Sequence, residues 1–168
     1  MTEPITVALI AGAVALVVAA LANFGAESYK RHRDATALAA CLAGELGSYQ
    51  EAFPLARDGW ARILELADGG SHQKLPRIPT PTSPIFESNV AKLGLLGPRL
   101  AESVSYVYAN IQVFRNMVIV AIEAEDAPQQ ALSARAALVA LARAETRGAP
   151  LVDELRKFAS AEFLAIPT

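Results

Sequence analysis

Residues 84–98 read PIFESNVAKLGLLGP, a leucine-rich run that is bounded by prolines and broken by glycines. Proline at the first position of a helix and glycine just past its end are common boundary signals. The pattern therefore predicts a short helix that begins at Pro84 behind an N-cap at Ser83. We expect this helix to end near Leu93, with Gly94 in the left-handed conformation that closes many helices.

The second half of the same stretch predicts the start of another helix at Gly97 and Pro98. Leucines in a turn are explained if the turn packs into the end of a helical bundle, because C-terminal caps often include such a hydrophobic contact. The alternative is an exposed segment that receives a protein partner. The predicted helix corner comprises Leu93, Gly94, Leu95, Leu96, Gly97 and Pro98.

The composition of the whole chain favours helices. Of its 168 residues, 53% are hydrophobic and only 7% are aromatic, and alanine is abundant. The formal net charge is -2, so no overall basic field indicates nucleic acid. Only one cysteine is present, which excludes an internal disulfide and suits a reducing compartment. These features predict an all-α protein that does not bind nucleic acid.

The N-terminal segment predicts a membrane anchor. No charged residue occurs from Pro4 to Phe24, and about 20 helical residues cross the roughly 30 Å hydrocarbon core. An aromatic and basic cluster follows and predicts a membrane interface. Its members are Tyr29, Lys30, Arg31 and Arg33. The positive-inside rule then predicts a single-pass protein of the inner (cytoplasmic) membrane, with its N-terminus outside and its C-terminal part in the cytoplasm.

A cleaved signal peptide is the rival interpretation of this segment. A signal peptide carries positive charge before its apolar run, whereas this chain has Glu3 there and places its basic residues after the run. The order of charges therefore favours an uncleaved anchor, with the lipid bilayer as its partner.

Small residues recur at helical spacing in the anchor. They are Ala8, Ala11, Gly12, Ala15 and Ala19. Such stripes allow helix backbones to approach closely, which predicts a homo-oligomer formed within the membrane. A monomeric anchor that is simply rich in alanine remains open as the alternative.

The rest of the chain divides into three further segments. Residues 29–68 carry an amphipathic pattern, residues 69–83 form a proline-rich linker, and residues 84–168 form most of a helical bundle; residues 1–28 are the anchor. The apolar stripe of the second segment consists of Leu38, Leu42, Leu46, Tyr49 and Phe53. Pro54 is expected to bend or break this helix.

Three more helices are predicted within residues 84–168, after the short one that begins at Pro84. The first runs from Pro98 to about Glu123, and the second begins after a break at Asp126. Gly148 is expected to cap the second helix, and Pro150 to open the last one. The expected architecture is thus an N-terminal transmembrane helix followed by a cytoplasmic antiparallel bundle of about four helices.

The sequence shows no motif for catalysis, a cofactor or a metal. His32 and His72 have no ligand partner at helical spacing, and Cys41 lies among alanines, where we expect a small buried side chain. Glu123 and Asp126 belong to an acidic run, which at a helix end indicates a solvated turn and an N-cap. An enzyme with an acidic cleft is the alternative.

One segment is similar to a group of small bacterial single-pass membrane proteins. These share a segment of the form Phe/Tyr…Asn…Leu-Gly-x-Leu-x-Pro-x-Leu-Ala after an N-terminal anchor. The matching residues are Phe86, Asn89, Leu93, Gly94, Leu96, Pro98, Leu100, Ala101, Val104 and Tyr108. The resemblance implies a bacterial, often prophage- or island-associated protein, and it carries over no catalytic residue.

We therefore expect a membrane-tethered, non-enzymatic interaction or assembly module that self-associates and binds a protein partner not identified by the sequence. The alternative is a membrane-acting effector, such as a small pore-former or a toxin-like defence component. In that case the small-residue stripe would line an oligomeric pore.

Overall fold

The computed structural model describes residues 3–77, 79 and 81–161, and before residue 22 it describes only the side chains of Leu16 and Val18. Four α-helices and one 3-10 helix account for most of this part, and its described residues form no strand. The prediction of an all-α protein is confirmed. The helices are α1 (Glu3–Asp68), α2 (Pro84–Asn89), α3 (Pro98–Ile122) and α4 (Ala127–Ala159), and the 3-10 helix spans Val90–Leu96.

Helix α4 packs against both other long helices and runs antiparallel to each. Arg135 pairs with Asp68 at 3.0 Å near one end of α1, and Arg57 pairs with Glu145 at 3.0 Å further back along it. In both pairs, residue numbers rise along α4 while they fall along α1. The same holds between α4 and α3, where Arg147 pairs with Glu102 and Glu154 with Arg99. Consequently α1 and α3 run in the same direction, and the segment between them must return along the bundle.

The core lies where the apolar faces of the three long helices meet. Leu42 and Leu46 of α1, Val104 and Val107 of α3, and Leu141 of α4 are almost completely buried. Burying one such side chain contributes about 1.5–3 kcal/mol. The stripe read from the sequence therefore predicts the core correctly on α1.

Helix α1 extends well beyond the bundle at its N-terminal end. Its first buried residue in the described part is Ala35, and every residue from 22 to 31 is exposed. Within the described residues, no helix is both long enough and apolar enough to cross a membrane. Most side chains of the charge-free run that we predict to be an anchor lie outside those the structure describes.

Two prolines that were expected to mark helix boundaries or bends lie inside helices. Helix α4 continues through Pro150, so the predicted start of a new helix there is wrong, and of the bend or break predicted at Pro54 the structure shows no break. Each proline is exposed, and on that side water can bond the carbonyl that proline leaves without a donor. Phe53 next to one, and Leu151 next to the other, are buried in the core and hold the helix in place.

Gly148 is not a helix cap either. It is buried in the middle of α4, where a Cβ atom would meet the side-chain nitrogen of Gln50 on α1. The missing side chain allows the two helices to approach here. Close packing, rather than helix termination, explains this glycine.

The corner after α2 is tighter than expected. The chain forms a 3-10 helix over Val90–Leu96, and Gly94 does not have a positive φ. The left-handed position is Gly97, with φ of 78°, directly before Pro98 opens α3. The predicted cap at Gly94 is thus wrong, and the reversal occurs three residues later.

Candidate functional site

The segment from residue 71 to 83 is here called the strap, and its described residues, 71–77, 79 and 81–83, return along the bundle between α1 and α3. Its first end is held by Gln130 of α4, which is fully buried. The Gln130 amide oxygen accepts a 2.8 Å hydrogen bond from the Gln73 backbone N–H, and its nitrogen donates a 2.8 Å bond to the Gln73 carbonyl. One side chain therefore satisfies both backbone groups of Gln73.

The second end of the strap is held by a tyrosine and an arginine. The Tyr49 hydroxyl donates to the Thr82 carbonyl at 3.0 Å. Arg115 of α3 donates to the Ser83 hydroxyl at 2.9 Å, to the Tyr49 hydroxyl at 3.1 Å and to the Thr82 carbonyl at 3.4 Å. Ser83 was expected to cap α2, but its hydroxyl is engaged with Arg115 and Tyr49 and does not bond the helix.

Glu45 of α1 caps α2 in place of Ser83. Its two carboxylate oxygens accept hydrogen bonds from the backbone N–H groups of Ile85 and Phe86, at 3.0 and 3.1 Å. The Tyr108 hydroxyl donates a further bond of 2.6 Å to the same carboxylate. A negative charge at a helix N-terminus is favourable, so this residue from α1 fixes where α2 begins.

Glu45 and Arg115 are both buried, with exposed fractions of 8% and 7%. Each is the centre of its own hydrogen-bonded group, and the two groups, together called the polar network here, adjoin where the Tyr49 and Tyr108 rings meet edge to face with centroids 6.5 Å apart. Arg115 forms no ion pair with any carboxylate of the described residues. Burial, followed by the hydrogen bond to Glu45, raises the pKa of Tyr108 far above its usual range. The phenol thus stays protonated and remains a donor.

Beneath the strap lies an apolar cavity of about 360 Å³ between α1 and α3. Nearly all of its walls are hydrocarbon, and Arg115 is the only charged residue among them. The walls consist of Leu55, Ala56, Gly59, Trp60, Ile63, Leu75, Pro76, Pro79, Pro81, Phe114, Arg115, Val118, Ile119 and Ile122. Small-molecule sites in proteins have volumes of roughly 300–1,000 Å³, so this cavity has the size of a binding site.

A second cavity, of about 240 Å³, lies on the other side of Arg115. Ser83, Phe86, Tyr108 and Gln112 contribute to its walls. Arg115 therefore contributes to the walls of both cavities. No three His, Cys, Asp or Glu side chains among those described lie close enough together to hold a metal ion.

The residues predicted from the sequence fall in three separate places. Leu93 and Leu96 are buried in the core, Leu95 is half-buried, and Gly94 is exposed. The predicted membrane-interface residues are exposed on α1, on the N-terminal side of the bundle. These are Tyr29, Lys30, Arg31 and Arg33. The side chains of the predicted self-association stripe, Ala8, Ala11, Gly12, Ala15 and Ala19, lie outside the described ones.

Two smaller expectations about polar residues have opposite outcomes. The prediction of an N-cap at Asp126 is confirmed, since its carboxylate accepts a 2.8 Å bond from the Gln129 backbone N–H. Cys41 was expected to be buried but is exposed. It lies on α1 next to Leu42, which takes the core position at this turn.

The polar network was missed in the sequence, although a signal for it exists. Glu45 follows Leu42 by three positions and precedes Tyr49 by four, which places a charge on the apolar face of α1. Arg115 likewise follows Ile111 by four positions on the core face of α3. A charge at a core position of each of two helices indicates a buried polar contact.

Comparisons of the chain with protein-family models, curated proteins and solved structures return no match. The resemblance to small bacterial single-pass membrane proteins therefore stays a prediction.

Proposed function

We propose that this protein is a non-enzymatic interaction module that is tethered to the cytoplasmic membrane by its N-terminal segment. The bundle would stand in the cytoplasm, directly behind the basic cluster at residues 30–33. The observation that carries this proposal is the extension of α1 beyond the bundle as one continuous helix.

Up to Phe24, the described side chains of the extension carry no charge, and most of them are apolar. Leu16 is 73% exposed and Phe24 is 77% exposed, and the sequence around them carries no charge from Pro4 to Phe24. A helix of this kind gains nothing from facing water, whereas a bilayer would cover it. The basic residues that follow would lie at the headgroups of anionic lipids.

The polar groups of the bundle support a structural rather than a catalytic role. Glu45 caps a helix with both of its oxygens, and Asp126 caps α4. Glu123 pairs with the exposed Arg77 at 2.7 Å. The carboxylates that an acidic active site would use are thus engaged in holding the fold together.

We further propose that the anchor self-associates through its small-residue stripe. The test is the mass of the full-length protein in a mild detergent, compared with that of the chain lacking residues 1–28. An oligomer that becomes a monomer on truncation is expected. Gly12→Leu should also dissociate it, because a large side chain separates the helices. Ala13→Leu, on another face, is the matched control.

A monomer in both forms of the chain would remove the support for self-association. Equal effects of Gly12→Leu and Ala13→Leu would contradict the stripe as the interface. The tether itself is tested separately, because a monomeric anchor would still hold the protein at the membrane.

A further inference from the structure

We propose that the cavity beneath the strap binds a single-chain anionic amphiphile, such as a fatty acid, with its carboxylate at Arg115 and its chain along the apolar walls. This inference goes beyond the proposed tether, since it assigns a ligand site to the bundle. The apolar walls, the buried guanidinium and the size of the cavity each support it.

The walls fit a hydrocarbon chain. Trp60 and Ile63 of α1 face Val118 and Ile122 of α3 across the cavity, and the prolines of the strap cover it. An apolar chain that enters such a space leaves water, at a gain of roughly 25 cal/mol for each Å² buried. The strap is tied to the bundle at Gln73 and Thr82, and between these ties Leu75, Pro76 and Pro79 contribute to the apolar wall.

Arg115 supplies the positive charge that an anionic head requires. A guanidinium has five N–H donors, and the three hydrogen bonds that Arg115 makes leave two of them without a partner among the residues that the structure describes. All three acceptors are uncharged. The Glu45 carboxylate, the other buried charge of the network, is occupied by two backbone N–H groups and the Tyr108 hydroxyl.

A buried cation without a carboxylate partner is costly, and an anion at this position would offset the cost. Charge complementarity thus selects an acid over an alcohol or a neutral lipid. The volume of about 360 Å³ lies near the lower limit for ligand sites, and this favours one chain over the two chains of a phospholipid.

Trp60 provides a direct probe, because it lines the cavity and is the only tryptophan of the chain. We would reconstitute the full-length protein in lipid nanodiscs and titrate it with dodecanoic acid that carries a terminal bromine, which quenches tryptophan at short range. Trp60 lies 31 residues beyond Tyr29 on α1, or roughly 45 Å along the helix. Probe dissolved in the bilayer would therefore leave Trp60 unquenched.

Bromododecanol has the same hydrocarbon chain but no charge, so comparing it with the acid shows how much of the binding depends on the charge. Arg115→Met is expected to weaken quenching by the acid about tenfold or more, the usual scale for losing hydrogen bonds to a charged group, and to leave quenching by the alcohol unchanged. Gly59→Leu places a side chain in open space at the cavity wall and should weaken both probes. Gly44→Leu is the matched control, since Gly44 also has open space around it on α1 but lies outside the cavity.

Circular dichroism would establish that each variant is folded. If Arg115→Met is not, Arg115→Gln carries the same comparison, because it keeps a polar side chain at this position without the charge. The proposal is overturned if the acid does not quench Trp60, or if Gly59→Leu has no effect. An equal loss of Trp60 quenching by the acid and by the alcohol in the Arg115 variant would also overturn it. The cavity would then bind apolar molecules without using the charge.

Discussion

The Tyr108 hydroxyl donates a 2.6 Å hydrogen bond to the Glu45 carboxylate, across 63 positions of the chain. The Phe86 ring stacks on the Tyr108 ring with a centroid distance of 4.0 Å, and the Phe86 N–H bonds the same carboxylate. Thus α1, α2 and α3 meet at one buried carboxylate. The position of the corner depends on this group as much as on the leucines that pack beneath it.

Removal of the carboxylate is expected to destabilise the whole bundle. Glu45→Ala would leave the Tyr108 hydroxyl and two helix N–H groups without their acceptor, at a cost of about 3 kcal/mol in the free energy of unfolding. The measurement is chemical denaturation followed by circular dichroism. Glu51→Ala, an exposed change on the same helix, should stay within about 0.5 kcal/mol of the unchanged protein. Similar values for the two variants would argue against a central role for Glu45.

Tyr108 should make stability depend on pH in the alkaline range. Its pKa is raised by burial and by Glu45, whereas in the unfolded chain a tyrosine ionises near pH 10. Above about pH 10 the unfolded chain releases this proton and the folded one keeps it, so stability falls as the pH rises. Below that pH the contribution of Tyr108 is fully present.

The comparison with Tyr108→Phe isolates this effect. At neutral pH the variant is expected to be less stable by about 1.5–3 kcal/mol, the value for a hydrogen bond to a charged group. The difference should shrink by about 1.4 kcal/mol for each pH unit above about 10. A difference that stays constant from pH 8 to pH 11 would show that Tyr108 ionises normally in the fold.

Gly148 tests the close packing of α1 against α4. Gly148→Leu would place a side chain against Gln50 and Val107, and overpacking of this kind costs about 1–3 kcal/mol. Gly44→Leu, on an open part of α1, should instead stabilise the protein by about 0.5–1 kcal/mol, because glycine is a poor helix former. Thermal or chemical unfolding checks both. Stabilisation by both changes would mean that the helices are further apart at Gly148.

Local patterns in the sequence predict the helices well where packing agrees with them. The stripe at Leu38, Leu42 and Leu46 is buried, and α3 begins and ends within one residue of its predicted bounds. Patterns are less reliable at Pro54 and Pro150, where proline normally ends a helix. Here Phe53 on α1 and Leu151 on α4, each next to a proline, are buried in the core and keep the two helices continuous. Their burial depends on packing against other helices, which a rule based on neighbouring residues does not include.

The candidate site is harder to predict than the fold for a related reason. Glu45 and Arg115 each stand out as a charge on an apolar face, but their partners come from other elements: Tyr108 for one, and Tyr49 and Ser83 for the other. The cavity is lined jointly by the strap and by the two parallel helices, along α1 from Leu55 to Ile63. Neither fact follows from spacing within a single helix.

The most direct test of the membrane tether uses Cys41, which is exposed and is the only cysteine. It lies eight residues beyond Arg33, roughly 12 Å further along α1, on the predicted cytoplasmic side. The measurement is labelling with a membrane-impermeant maleimide in bacterial spheroplasts and in inverted membrane vesicles. The control chain carries Cys41→Ala together with Thr2→Cys and should be labelled from the opposite side. We expect Cys41 to react in inverted vesicles and not in intact spheroplasts, whereas labelling in intact spheroplasts, or recovery of the protein in the soluble fraction, would contradict the account.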